Sequence, residues 1–187
     1  EDNAWYSPWT GDITMGTGGV DDAEDAHVIW HEYGHAIQDN QVPGFGASHE
    51  AGSMGEGFGD YWALTTFTGI GPHAPDWDVY VATWDATTYN PGNPAFLRRV
   101  DGTKHYPEDM QGEVHADGEI WSACLWQIRG IVGAVRADTM ILESHFRLMP
   151  DASFEDGALA ILEANNDLYG GADGSDIAQV FVDRGIL

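Results

Sequence analysis

Two histidines one helical turn apart constrain the fold of this 187-residue chain more than any other feature. Acidic residues before them and a Pro-Gly pair after them predict a helix over residues 22–39. His31 and His35 then lie on one face of that helix, because residues four apart are neighbours there. A second helix is predicted over residues 53–66 and carries Glu56. The two helices must pack closely if these polar side chains are to meet.

The residue types at these positions are those of a hydrolytic zinc site. His31 and His35 can reach one ion, and Glu56 supplies a third ligand, which leaves the fourth position open as a catalytic zinc requires. Glu32 lies beside the same helix face and is placed to act as the general base on an attacking water. Asp60 follows Glu56 by one turn and can accept the other ring N–H of His31, which would fix its tautomer.

The sequence around these residues resembles the gluzincin metallopeptidases, meaning thermolysin-like and fungalysin-like enzymes. Residues 31–39 are similar to their active-site helix, and residues 50–60 to their helix with the glutamate ligand. The stretch Gly-Glu-Gly-Phe-Gly-Asp-Tyr-Trp at residues 55–62 is closer to fungalysins, and the match covers nearly the whole chain. The resemblance implies a mainly α, α+β zincin-type catalytic domain over residues 1–187, with a small β-rich N-terminal part, a helical C-terminal part and a reduced N-terminal β lobe.

The same resemblance extends to residues outside the metal motif. Asn-Ala-Trp-Tyr at residues 3–6 resembles the edge strand that binds the substrate backbone, so Asn3 and Ala4 are expected to bind substrate as an added strand. Gly-Glu-Val-His at residues 112–115 resembles the segment with the catalytic histidine. His115 is therefore the expected hydrogen-bond donor to the oxyanion of the intermediate.

Two assignments keep alternatives at this point. Either Asp109 or Glu113 could orient His115, and relatives use an Asp a few residues upstream, which favours Asp109. Either Arg98 or Arg99 corresponds to the arginine of the primed-side specificity pocket, unless the two form an ordinary surface pair.

One departure from the thermolysin-like pattern concerns the oxyanion. Those enzymes carry a tyrosine on the loop between the two metal-binding helices, whereas residues 45–49 here read Phe-Gly-Ala-Ser-His. His49 or Tyr6 could replace that tyrosine, or His115 could act alone.

The chain is strongly acidic, with 31 Asp and Glu against 7 Lys and Arg and a net charge of -24. Such a surface repels phosphates, so nucleic acid is not an expected partner. A salt-adapted surface, calcium binding and general resistance to aggregation all remain open as explanations. The candidates for a Ca²⁺ site in addition to the one catalytic Zn²⁺ are Asp21, Asp22, Asp25 and the turn Asp173–Asp176, although no calcium-loop pattern occurs.

We expect a secreted, monomeric zinc endopeptidase that acts on protein or peptide substrates. No run of 18 apolar residues occurs, so no membrane span is expected. The single cysteine, Cys124, excludes an intrachain disulfide. A non-catalytic zinc-binding interaction module is the alternative, but it would typically have lost Glu32 or a ligand. An aminopeptidase of the other gluzincin branch would need an acidic stretch for the substrate amine, which the sequence lacks.

Overall fold

The computed structural model describes residues 2–70, 77–90 and 92–187. These residues form six α-helices and two small antiparallel sheets, which confirms the mainly α, α+β class. The helices are α1 Ala26–Gln41, α2 His49–Phe67, α3 Val114–Val132, α4 Ala134–His145, α5 Phe154–Tyr169 and α6 Gly174–Asp183. The strands are β1 Trp5–Ser7, β2 Asp12–Thr14, β3 Tyr80–Val81 and β4 Arg98–Arg99.

Side-chain caps explain where the main helices begin. Asp25 starts α1 by accepting the backbone N–H of His27, and Ser48 starts α2 by accepting that of Ala51. Ser153 opens α5 with a capping box. Two starts differ from expectation, because Asp22–Glu24 forms a separate short 3-10 helix before α1 and because the cap of α2 lies before residue 53.

The two sheets are short and have two strands each. Strands β1 and β2 pair Trp5 with Thr14, and strands β3 and β4 pair Val81 with Arg98. Strands β3 and β4 lie in the otherwise largely irregular stretch between α2 and α3. Residues 71–76 and 91 lie outside the described residues.

The core is built around α2, which packs against α1 on one side and α3 on the other. Its largest fully buried side chains come from five helices: Met54, Phe58, Tyr61, Leu64, Ile120, Leu125, Ile128, Met140, Ile141, Phe154, Ile161 and Phe181. Each contributes roughly 1.5–3 kcal/mol by leaving water. Among the described residues, no helix combines the length and the apolar character that crossing a bilayer requires.

Glycines allow the three site-bearing helices to approach closely. A Cβ atom at Gly34 of α1 would lie 3.1 Å from the Cα of Gly59 in α2. A Cβ atom at Gly57 would meet the carbonyl oxygen of Gly118 in α3 well inside van der Waals contact. These are backbone contacts, which cannot relax by a rotamer change. Side chains on neighbouring helices can therefore reach each other near these contacts.

Gly57→Ala should destabilise the protein by about 1–3 kcal/mol, because the new methyl group would push α2 and α3 apart. Gly130→Ala is the matched control, since Gly130 lies in α3 with nothing within 4 Å of its Cβ position. That change should stabilise by about 0.5–1 kcal/mol through helix propensity. Urea unfolding of both variants measures the difference, and equal midpoints would contradict the close-contact argument.

Candidate active site

Helices α1 and α2 bring three metal-ligand side chains to one point. The ligand atoms of His31, His35 and Glu56 all lie within 4.8 Å of one another. Nε2 of His31 is 3.1 Å from Oε2 of Glu56 and 3.1 Å from Nε2 of His35. Nε2 of His35 is 3.6 Å from Oε1 of Glu56. Two imidazole nitrogens and one carboxylate are the donor set of a catalytic zinc site, so these residues fit that ion.

A buried ion pair between Asp60 and Arg98 contacts His31 at the ring nitrogen that faces away from the ligand group. Oδ1 of Asp60 lies 2.8 Å from Nδ1 of His31, and the Arg98 guanidinium donates to both carboxylate oxygens of Asp60 at 2.6 and 2.7 Å. Burial opposes the charge on Asp60, but the Arg98 charge and hydrogen bonds outweigh burial and hold the pKa of Asp60 well below its usual range. A charged Asp60 fixes the proton of His31 on Nδ1 and leaves Nε2 for a metal.

The two histidines titrate differently in the metal-free protein. Burial alone lowers the pKa of His31, but hydrogen bonds to Asp60 and Glu56 and their charges raise it to about 10. Burial, followed by the charge of His31, lowers the pKa of His35 to about 4. Hydrogen bonding from His31 outweighs burial at Glu56 and lowers its pKa to about 2. Near pH 8, His31 is thus the one ligand of the three that carries a proton that a metal would have to displace.

Zinc binding at pH 8 should therefore release the proton that His31 carries, since a ligating imidazole must be neutral. The measurement is calorimetric titration of metal-free protein in two buffers with different ionisation enthalpies. Asp60→Asn should reduce the release, because Asp60 is the largest factor that raises the pKa of His31. A binding heat that does not depend on the buffer would contradict this assignment.

Glu32 adjoins the metal-ligand group and is nearly buried, with 7% of its surface exposed. Burial, aided by the charge of Glu56, raises its pKa above the usual range. The charge of His31 and a hydrogen bond from the Tyr6 backbone act in the opposite direction without prevailing. A carboxylate with a raised pKa binds a proton more readily, as a general base must.

The metal-ligand group opens into a cleft. A cavity of ≈ 390 Å³ is lined by Asn3, Ala4, Tyr6, Glu32 and His115, among others. A second cavity of ≈ 270 Å³ adjoins it and extends to Val28, Leu97 and Arg98. The structure thus brings Asn3, Ala4 and His115 to the cleft that contains Glu32.

His115 faces the ligand group from the start of α3. Its Nε2 lies 3.3 Å from Oε2 of Glu56, and its Nδ1 lies 2.6 Å from Oε1 of Glu113. Glu113 is also the N-cap of α3 and accepts two backbone N–H groups, which lock its side chain. Burial opposes ionisation of Glu113, but the hydrogen bond from His115 and the backbone bonds outweigh it and lower its pKa to about 2.

The expected partner of His115, Asp109, lies elsewhere. Its carboxylate accepts the backbone N–H of His105 at 2.7 Å and sits 3.9 Å from the ring of that residue. The prediction favoured Asp109 over Glu113, whereas the structure places Glu113 at the histidine. The reason is local, because a cap residue two positions before His115 has its side chain turned back over the first helical turn.

The two arginines play separate parts. Arg98 is buried against Asp60, as described above, and lines the second cavity. Arg99 is half-exposed, pairs with Asp101 at 2.6 Å and lies 5.4 Å from the centre of the Tyr80 ring. Arg98 lines the cavity, whereas Arg99 lies at the surface.

His49 and Tyr6, the two candidates to replace the missing loop tyrosine, have different hydrogen-bond partners. Nε2 of His49 lies 2.8 Å from Oδ2 of Asp117, which also accepts the backbone N–H of Gly112. Sequence reasoning missed Asp117, although an acidic residue in the first turn of α3 was the available signal. The hydroxyl of Tyr6 donates to Asp39 at 3.0 Å, and Tyr6 lines the main cavity.

Known proteins with similar sequences are metallopeptidases by name. The profile of the fungalysin metallopeptidases (M36) matches residues 14–132. Extracellular metalloproteinase 2 of Phaeosphaeria nodorum is 30% identical over 117 residues, which are 56% of this chain and 17% of that protein. The protein of the same name from Arthroderma otae is 24% identical over 203 residues, covering 87% of this chain and 30% of that protein.

The chain spans less than a third of the length of these relatives. The matched profile nevertheless contains both metal-binding helices and His115, and it covers well over half of the chain. The expected resemblance to fungalysin-like enzymes is therefore confirmed, and the chain belongs to the fungalysin metallopeptidase family.

Proposed function

We propose that this protein is a zinc-dependent endopeptidase that hydrolyses internal peptide bonds of proteins. The observation that carries the proposal is the convergence of three ligand atoms within 4.8 Å, with the nearly buried Glu32 beside them. His31, His35 and Glu56 would hold the ion. Zinc in this position would polarise the scissile carbonyl and lower the pKa of a water molecule toward about 7.

Glu32 takes the proton from the attacking water and delivers it to the leaving amine. Its carboxylate lines both cavities, so it can reach either side of a bound peptide. The raised pKa makes the proton gain favourable. Asp60 and Arg98 act through His31, because they hold its ring in the orientation that leaves Nε2 free.

His115 stabilises the negative charge that develops on the carbonyl oxygen. Its ring is half-exposed in the cleft, and Glu113 fixes Nδ1, so Nε2 is the nitrogen that faces the substrate. Tyr6 also lines the cleft, but its one hydroxyl proton is donated to Asp39 and would have to leave that bond to reach the oxyanion. Donors held in place before the reaction stabilise such an oxyanion by several kcal/mol, about 2.7–4 for one donor.

The substrate runs along the segment before β1 as an added strand. Asn3 and Ala4 line both cavities, and their backbone is the edge that an extended peptide can pair with. Such pairing does not depend on a chain terminus, which favours internal bonds. We further propose that residues 1–187 form one catalytic domain, that the protein is a monomer and that it acts outside the cell, as the names of its relatives indicate for those proteins.

The proposal is tested by measuring zinc content and casein cleavage with and without a chelator. Bound zinc at about one ion per chain, and cleavage that chelation abolishes and zinc restores, would support it. An aminoacyl amide serves as the contrasting substrate, since an aminopeptidase would prefer it to casein. Zinc binding without cleavage of either substrate would instead support an interaction module.

A further inference from the structure

A second group of carboxylates lies outside the metal-ligand group. Asp2, Asp22 and Asp85 each offer an oxygen within 4.8 Å of the others. Asp22 and Asp85 are only 3% and 4% exposed, and all three line the second cavity, which gives access from solvent. They come from the N-terminal segment, the short helix before α1 and the 3-10 helix Asp85–Thr88.

Two oxygens of this group have no hydrogen-bond donor among the residues that the structure describes. Oδ1 of Asp85 and Oδ1 of Asp2 are buried without a hydrogen-bond partner, whereas Oδ2 of Asp22 accepts the backbone N–H of Gly16. Within residues 2–70, 77–90 and 92–187, none of the three forms an ion pair with Arg, Lys or His. A buried carboxylate oxygen without a partner is costly, so the arrangement calls for a cation.

Other acidic residues that the sequence offered as calcium ligands have different surroundings. Oδ2 of Asp25 accepts the backbone N–H groups of Trp84 and Asp85 at 3.0 Å each, and its Oδ1 caps α1. Asp173 pairs with Arg136. These two candidates from the sequence already have protein partners, and Asp21 and Asp176 are exposed, whereas Asp22 is buried beside two further carboxylates.

We propose that Asp2, Asp22 and Asp85 bind a calcium ion. Three carboxylates without nitrogen or sulfur ligands suit a hard divalent cation, which excludes zinc as the preferred occupant. Oxygens that each lie about 2.3–2.6 Å from Ca²⁺ can be at most about 5 Å apart, which matches the observed grouping. The close approach of these carboxylates also affects their protonation. Burial, together with the charges of Asp22, Asp25 and Asp2, raises the pKa of Asp85 to about 6.

The ion would fasten the N-terminal segment to the body of the protein. Asp2 directly precedes Asn3 and Ala4, so a bound cation holds the edge that lines the cleft. Gly18 and Gly19 leave room for this approach, since a Cβ at Gly19 would lie 2.8 Å from Oδ2 of Asp2. The consequence for substrate binding depends on the proposed function, whereas cation binding itself does not.

The test is thermal unfolding of the zinc-loaded protein with and without Ca²⁺ at constant ionic strength. A hundredfold excess over the dissociation constant should raise the Tm of the wild type by about 5–10 °C. Asp85→Asn should abolish this shift and, without Ca²⁺, should unfold at a higher temperature than the wild type because repulsion is relieved. Asp21→Asn, an exposed neighbour, should behave as the wild type.

Calorimetric titration with CaCl₂ should give one site per chain, lost in Asp85→Asn and kept in Asp21→Asn. A wild-type Tm that does not respond to Ca²⁺, or an equal response in both variants, would overturn the proposal. If Asp85→Asn keeps the calcium response, these carboxylates do not hold the ion and the proposal is wrong. Failure of peptidase activity alone would leave both readouts intact and would count only against the proposed function.

Discussion

Glu32→Gln should slow peptide hydrolysis by a factor of about 10²–10⁴ while leaving the zinc content unchanged. The amide has nearly the same shape as the carboxylate, but it cannot accept a proton from water. Because Glu32 contributes to the cleft and is not one of the three converging ligands, the metal should remain bound. The measurements are kcat on a fluorogenic peptide and the metal content of the same sample.

The matched control is Glu155→Gln, an exposed residue in the first turn of α5. It removes the same charge from a strongly acidic protein without touching the cleft, so its activity should equal that of the wild type. An active Glu32→Gln variant would require another base. If the variant is inactive because it has lost its zinc, then Glu32 takes part in metal binding rather than in proton transfer.

Glu56→Gln should lower the affinity for zinc by more than about a hundredfold, because loss of an outer partner of a ligand alone costs about 10–100-fold. The neutral amide is a weaker ligand, and it also removes the negative charge beside His31 and His35. Competition with a chromophoric chelator measures the constant. Activity should fall in parallel and recover in part at high zinc concentration.

Asp60→Asn provides the comparison within the same helix, since Asp60 contacts His31 on the side away from the ligand group. The affinity of Asp60→Asn for zinc should fall between that of the wild type and that of Glu56→Gln. Equal losses in the two variants would mean that the ring orientation of His31, rather than direct ligation by Glu56, determines zinc binding.

The helices and the central part of the site were predictable because their signals are local. His31 and His35 share a face through the helical period, although the observed caps, Asp25 and Ser48, differ from the helix starts expected near residues 22 and 53. A second helix with Glu56 only had to pack against the first. Spacing along the chain thus anticipates which side chains can meet when two consecutive helices are neighbours.

The remaining contacts depend on residues far apart in sequence. Arg98 reaches Asp60 across 38 positions from a two-residue strand that has no distinctive pattern. Asp85 meets Asp2 from a distant part of the chain, so the sequence offered Asp21, Asp22 and Asp25 as candidates for a Ca²⁺ site without indicating Asp2 or Asp85. The orientation of Glu113 is local, but the choice between it and Asp109 depends on where the first turn of α3 begins.

Main-chain contact at Gly34, Gly57, Gly59 and Gly118 has a consequence for protein engineering. Backbone atoms set the distances between α1, α2 and α3, and side-chain repacking cannot move them. Changes in the surrounding loops should therefore leave the metal-ligand geometry unaltered. Residues 42–48, which join α1 to α2 and contribute Phe45 and Gly46 to the cleft, could therefore be exchanged to alter substrate preference. The helices would act as a fixed frame on which the recognition surface can be varied independently of the chemistry.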